Sequence, residues 1–188
     1  MEGSFEGNRE GQNEVWSFFD AYKISGQGAA VVRPALRSFR HITEEGMARD
    51  EAFLAKKKGR PNMREQKQTG SDAFAFENYL TAEAKRCGWF GGELIPTAEY
   101  DDWVSGVDVV VEWLAEDGGS PIRLAIDFTT TKQFETFYKK SNKLEGNVVV
   151  KYFRSALERE GGEPKELRAS MPIVLLGIDK EGFREIAR

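Results

Sequence analysis

Two aspartates in neighbouring apolar segments are the strongest chemical signal in the sequence. Asp108 lies within residues 106–114 and Asp127 within residues 122–129, and both segments are rich in the valine, isoleucine and phenylalanine that favour strands. Between them, residues 116–121 (EDGGSP) are typical of a turn. We therefore expect an antiparallel hairpin that brings two carboxylates together.

The side chains of this hairpin indicate its register. If Glu112 lies opposite Arg123, opposite charges attract on one face and the other face carries only apolar pairs. The same register places Asp108 opposite Asp127. Because facing like charges destabilise a sheet, this pair requires either protonation of one carboxylate or a cation between the two, and a divalent metal is the simplest cation. The alternative is a register shifted by a residue or two, with both side chains in water.

The residues around the two aspartates resemble the PD-(D/E)XK nuclease superfamily. The resemblance covers about residues 71–155 and is carried by short motifs: a helix with Glu77, then Gly106-Val107-Asp108 in one strand and Ile126-Asp127-Phe128-Thr129 in the next. It implies the restriction-endonuclease-like fold, an α/β domain with a mixed β-sheet flanked by helices.

The resemblance also implies a site and a reaction. Asp108 and Asp127 would bind Mg²⁺ or Mn²⁺ together with the backbone carbonyl of Phe128, and Glu77 would be a supporting acid. Such a metal neutralises charge on a phosphate oxygen and lowers the pKa of its bound water, as hydrolysis of a phosphodiester requires. The expected function is therefore a metal-dependent nuclease, a hydrolase with DNA favoured over RNA as its substrate. Many members of the family work as dimers, which allows a homodimer here.

The sequence departs from the family pattern at the lysine. Thr129 stands where lysine is expected, and Lys132 is the nearest candidate for assisting the attacking water. Lys132 can reach the site only if the chain turns into a helix after Thr129, and a capping-box pattern predicts such a helix at residues 133–145. If no residue replaces the lysine, the chain is instead a non-catalytic nucleic-acid-binding or assembly module on a degenerate nuclease fold.

The elements that must position these residues are predicted from apolar spacing. A helix beginning near Asp72 carries Leu80 and Ala84 on one face and ends before Gly88. Further strands are predicted at residues 93–98, 147–154 and 172–178. Residues 160–164, which include two glycines, are predicted to be a linker.

A basic segment precedes an acidic body. Residues 1–70 carry 12 basic and 10 acidic side chains, a net charge of +2, whereas residues 71–188 carry 15 and 21, a net charge of −6. We expect residues 1–70 to form a helical or partly disordered arm and residues 71–188 to form the nuclease-like domain. The candidates for contacts with nucleic-acid phosphates are Arg33, Arg37, Arg40, Lys56, Lys57, Lys58 and Arg60.

The spacing of the first three candidates places them on one face of a helix. Arg33, Arg37 and Arg40 lie at positions i, i+4 and i+7, so an α-helix would align their charges. A charged arm that is merely solvated explains the same pattern equally well.

Composition excludes several other classes of protein. One cysteine, Cys87, cannot form an internal disulfide, and with a single histidine it cannot build a zinc site rich in thiolate or imidazole ligands. The sequence has no apolar run long enough to span a bilayer and no signal peptide at its N-terminus. We therefore expect a cytoplasmic protein whose metal, if any, is bound by oxygen ligands.

Overall fold

A five-stranded mixed sheet with three helices forms the described part of the chain. The computed structural model describes residues 32–59, 77–130, 138 and 146–178. The strands are β1 (Glu93–Pro96), β2 (Val109–Trp113), β3 (Ile122–Thr130), β4 (Asn147–Glu160) and β5 (Glu163–Ile178). The helices are α1 (Glu44–Lys58), α2 (residues 77–87) and α3 (Glu99–Ser105), with a short 3-10 helix at Leu36–Ser38. The predicted α/β class is confirmed.

The central hairpin has the predicted register. The strand order is β1-β2-β3-β5-β4, and every pair is antiparallel except β3 and β5, which are parallel. Glu112 faces Arg123 across β2 and β3, as the charges of these residues predict. Strand β2 begins later than predicted, at Val109, because Gly106 has a φ of 67° and ends the unpredicted helix α3.

Strands β4 and β5 form one long antiparallel hairpin. Strand β4 ends at Glu160 and β5 begins at Glu163, so three of the five residues of the predicted linker at 160–164 belong to strands. The turn itself is Gly161-Gly162, where both glycines adopt positive φ. The linker prediction is wrong for Glu160, Glu163 and Pro164, because the two-glycine turn is tight enough for strand pairing to begin directly beside it, with Glu160 opposite Glu163 and Arg159 opposite Pro164.

Apolar side chains are buried on both faces of the sheet. On one face, Ala84 of α2 belongs to a buried cluster with strand residues Leu94, Val109, Val111, Ile126 and Phe128. On the other face, the sheet curls so that β4 and β5 cover β2 and β3, and the buried residues are Val107, Val110, Ala125, Val150, Phe153, Ala169 and Met171. This burial removes water from both sides of the strands that carry the two aspartates.

Residues 32–59, which belong to the predicted arm, pack against the sheet. Leu36 and Phe39 are buried in a cluster with Ala98 and Tyr152. Asp50 of α1 accepts a hydrogen bond of 2.7 Å from the Tyr152 hydroxyl. These contacts fix the backbone that leads back to Arg33.

Some predictions concern residues that lie outside the described ranges. These are the cap at Asp72, the roles of Arg60 and Lys132, and the helix at residues 133–145, of which only Tyr138 is described and is helical.

Candidate active site

Asp108 is held immediately before β2 by hydrogen bonds on its backbone and its side chain. Its N–H donates to the Ile126 carbonyl at 2.9 Å, and its carbonyl accepts the Thr97 N–H at 3.1 Å. Its Oδ2 accepts the Phe128 N–H at 2.6 Å. The carboxylate is therefore fixed against the peptide that joins Asp127 to Phe128.

Asp127 lies on β3 directly after Ile126, the partner of Val109 at the start of β2, and is close enough to Asp108 for the two charges to interact. Only 3% of the surface of Asp127 and 5% of that of Asp108 is exposed. Asp127 Oδ2 lies 3.6 Å from the position that a Cβ on Gly106 would take, so the glycine that ends α3 borders this carboxylate. The structure thus brings together the two predicted metal ligands in a buried setting.

Two more carboxylates lie close to this pair. The side chain of Glu77, at the start of the described part of α2, is 14% exposed, and that of Asp102 in α3 is 31% exposed. We call Glu77, Asp102, Asp108 and Asp127 the acidic cluster. Asp102 is absent from the predicted site residues because α3 is short and was not predicted as a helix.

The guanidinium of Arg33 lies within the acidic cluster. Its Nη2 contacts Glu77 Oε1 and lies 3.3 Å from Asp108 Oδ1 and 3.6 Å from Asp102 Oδ2. Its Nη1 donates to the Thr97 carbonyl and the Asp108 carbonyl, both at 3.2 Å, and to the Thr97 hydroxyl at 3.1 Å. In this structure, an arginine of the same chain supplies a cation beside Asp108, one of the two aspartates.

The predicted helical face of Arg33, Arg37 and Arg40 is wrong. In this segment only Leu36–Ser38 are helical, and they form a single 3-10 turn. Pro34 gives the physical reason, because a proline disfavours helical backbone in the residue before it. Arg33 is therefore separated from the other two arginines, and its charge faces carboxylates of its own chain.

Burial and mutual repulsion raise the pKa values of carboxyl groups in the acidic cluster. Burial raises the pKa of Glu77 to about 7, Arg33 opposes the rise, and Asp102 and Asp127 add to it. Burial, followed by Glu77, Asp102 and Asp127, raises the pKa of Asp108 well above its usual value. Burial and repulsion among the carboxylates therefore outweigh the attraction of Arg33 at Glu77.

The acidic cluster has the donor chemistry of a magnesium or manganese site. Carboxylate and carbonyl oxygens are the ligands that these hard ions prefer. Within residues 32–59, 77–130 and 146–178, no group of three or more His, Cys, Asp or Glu is arranged to hold a metal ion. Nη2 of Arg33 lies beside three of the carboxylates, including Asp108, so a metal ion bound to Oδ1 of Asp108 would lie close to this nitrogen.

The position at which the PD-(D/E)XK pattern predicts a lysine carries no positive charge. Thr129 follows Phe128 on β3 and is half-buried. Among the described residues, Arg33 supplies positive charge to the acidic cluster. The sequence contains only a weak signal for this role of Arg33, because Arg33 is one of several basic residues in the same segment.

Those of the other predicted nucleic-acid contacts that the structure describes lie on its surface. Arg37 is exposed and pairs with Glu51 at 2.6 Å. Lys57 and Lys58 of α1 both contact residues of α3. The remaining candidates are Arg40 and Lys56, which are exposed, and Arg60, which is not described.

Comparison with known proteins does not place the chain in a family. No protein-family model matches the sequence. The search of curated proteins and the search of solved structures likewise gave no match. The site is therefore interpreted from its own geometry and chemistry.

Proposed function

We propose that this protein is a metal-dependent nuclease that hydrolyses phosphodiester bonds in nucleic acid. The observation that supports this proposal most is the burial of Asp108 and Asp127 side by side, with Glu77 and Asp102 close to them. Several buried carboxylates are costly unless a cation binds them, and such clusters are typical of functional sites. A mixed sheet with helices packed on it is compatible with the restriction-endonuclease-like fold.

Each proposed site residue has a distinct role. Asp108, Asp127 and the Phe128 carbonyl would hold Mg²⁺ or Mn²⁺, which supplies charge neutralisation at the phosphate and a more acidic water. The Phe128 N–H orients the Asp108 carboxylate, and the apolar clusters on both faces exclude bulk water. In the reaction the water oxygen forms a new bond to phosphorus, the bond to the leaving oxygen breaks, and a proton from water ends on the leaving oxygen.

A cleavage assay tests the proposal. Purified protein is incubated with single-stranded and double-stranded DNA and RNA in the presence of Mg²⁺, Mn²⁺ or EDTA. We expect products only with metal, and Asp108→Asn and Asp127→Asn should each lower the rate at least about a hundredfold. Asparagine keeps an oxygen that can accept the Phe128 N–H while it removes the charge.

The matched control removes a carboxylate from a place outside the cluster. Glu116 is exposed in the turn between β2 and β3, so Glu116→Gln should cleave at the wild-type rate. Cleavage that persists in EDTA, or in the Asp108→Asn variant, would reject the proposed mechanism.

A non-catalytic nucleic-acid-binding module is the second candidate. Thr129 at the lysine position and the Arg33 guanidinium inside the acidic cluster both favour it. Retention of nucleic acid by the wild type in EDTA, without products in any metal, would support this candidate over the nuclease.

We propose nucleic acid as the partner, with DNA favoured over RNA, and a cytoplasmic location; the family also allows a homodimer. Of the helices that the structure describes, none combines the length and the apolar composition needed to cross a bilayer.

A further inference from the structure

We infer that Arg33 competes with a divalent metal ion for the acidic cluster, so that its guanidinium must withdraw before the ion binds. This inference rests on the proposed function, because it concerns access to the proposed metal site. Nη2 of Arg33 contacts Glu77 Oε1 and lies 3.3 Å from Oδ1 of Asp108, a proposed metal ligand. The ligand therefore already carries a cation.

The two cations exclude each other for electrostatic and geometric reasons. A dication and a guanidinium beside the same buried carboxylate repel each other, because burial leaves little water to screen them. Nη1 of Arg33 is bound at the same time to Thr97 and to the Asp108 carbonyl, so the planar group cannot turn aside and keep its other contacts. Binding of metal requires the whole guanidinium to leave.

The packing of the N-terminal segment allows this withdrawal. The buried anchors of the segment, Leu36 and Phe39, lie after Arg33 in the chain. Val32, immediately before Arg33, is 85% exposed. Val32 and Arg33 can therefore move away from the cluster while Leu36 and Phe39 stay packed.

Calorimetric titration with Mn²⁺ alone measures the competition. The full-length wild type is compared with Arg33→Gln, which removes the charge, and we expect the variant to bind Mn²⁺ at least about tenfold more tightly. Arg37→Gln is the matched control. Arg37 lies in the same segment, its side chain is 74% exposed, and it pairs with Glu51 outside the cluster, so this variant should keep the wild-type affinity within about twofold.

Arg33→Gln leaves buried carboxylates without their counter-ion and can prevent folding, so a second variant is needed. Arg33→Lys keeps the charge but has one nitrogen in place of the two-pronged guanidinium. It should compete less well than arginine and bind Mn²⁺ more tightly than the wild type does. If only Arg33→Lys folds, affinity equal to that of the wild type overturns the inference.

The outcomes separate this inference from the proposed function. Equal or weaker Mn²⁺ binding by Arg33→Gln would overturn the competition and leave the nuclease proposal standing. Tighter binding by Arg33→Gln without cleavage of DNA or RNA by any of the proteins would support the competition and reject the nuclease. No binding of Mn²⁺ to any of the proteins would overturn both.

Discussion

Replacing Asp101 with asparagine should change the way in which the stability of the domain depends on pH. Asp101 is fully buried, and its carboxylate accepts the backbone N–H groups of Lys151 at 2.7 Å and Tyr152 at 2.8 Å. It thereby fastens α3, which carries Asp102, to β4. Burial raises the pKa of Asp101 to about 6, although the two hydrogen bonds and the charge of Lys151 oppose the rise.

The direction of this shift gives the sign of the effect. Because the folded pKa lies above the unfolded value of 3.8, the stability that Asp101 contributes is complete below 3.8 and is lost as pH rises through about 6. The full shift corresponds to about 3 kcal/mol, of which about 2 kcal/mol is lost between about pH 4.5 and pH 7. The free energy of unfolding of the wild type, minus that of Asp101→Asn, should therefore fall by about 2 kcal/mol over this interval.

Urea unfolding followed by tryptophan fluorescence at the two pH values measures this difference. Asp117→Asn is the control, because Asp117 is exposed in the turn between β2 and β3 and the same change of side chain should leave the pH dependence as it is in the wild type. Parallel stability profiles for the wild type and Asp101→Asn would refute the reasoning, since Asp101 would then ionise equally easily in the folded and unfolded chain.

Two substitutions test how the sheet is held together, both by urea unfolding. Glu112→Ala should lower the free energy of unfolding by about 3–5 kcal/mol, because the fully buried carboxylate pairs with Arg123 at 2.8 Å and accepts the Ser155 hydroxyl and the Ala156 N–H. A loss below about 1 kcal/mol would contradict this role. Gly92→Ala should cost about 1–3 kcal/mol, because a Cβ there would lie 2.5 Å from the Glu112 carbonyl oxygen. An unchanged urea midpoint would mean that the backbone before β1 can shift away.

The register of β2 and β3 is predictable from the sequence because the information that sets it is local. The two strands are close in sequence and are joined by residues 114–121, so the choice of register reduces to a few alternatives. The pairing of Glu112 with Arg123 favours one of them, and the structure confirms that pair at 2.8 Å. The neighbourhood of Asp108 and Asp127 follows from the same register. Glu77, the third member of the acidic cluster that was named from the sequence, was indicated only by the family resemblance.

The contacts made by α1 are not predictable in this way. The helix buries Asp50 and Leu54, and Asp50 is bound by the Tyr152 hydroxyl and by the Lys151 ammonium group. A helix that is held by a buried carboxylate lacks the apolar stripe by which packed helices are recognised. The partners of Asp50 are more than a hundred residues away, so no short-range pattern reveals them.

The sequence indicates that the neighbouring carboxylates need a positive charge or a proton, but it does not identify Arg33 as the residue that supplies the charge. Neighbouring carboxylates require either protonation of one group or a nearby cation. From the sequence alone, a metal ion and an arginine meet that requirement equally well. An arginine of the same chain remains close to the cluster at any concentration of metal, whereas an ion must be bound from solution. The tethered group is therefore favoured whenever metal is scarce. Occupancy of the proposed metal site would then depend on the difference between two binding free energies, not on the affinity of the carboxylates alone, and a count of acidic ligands cannot provide that difference.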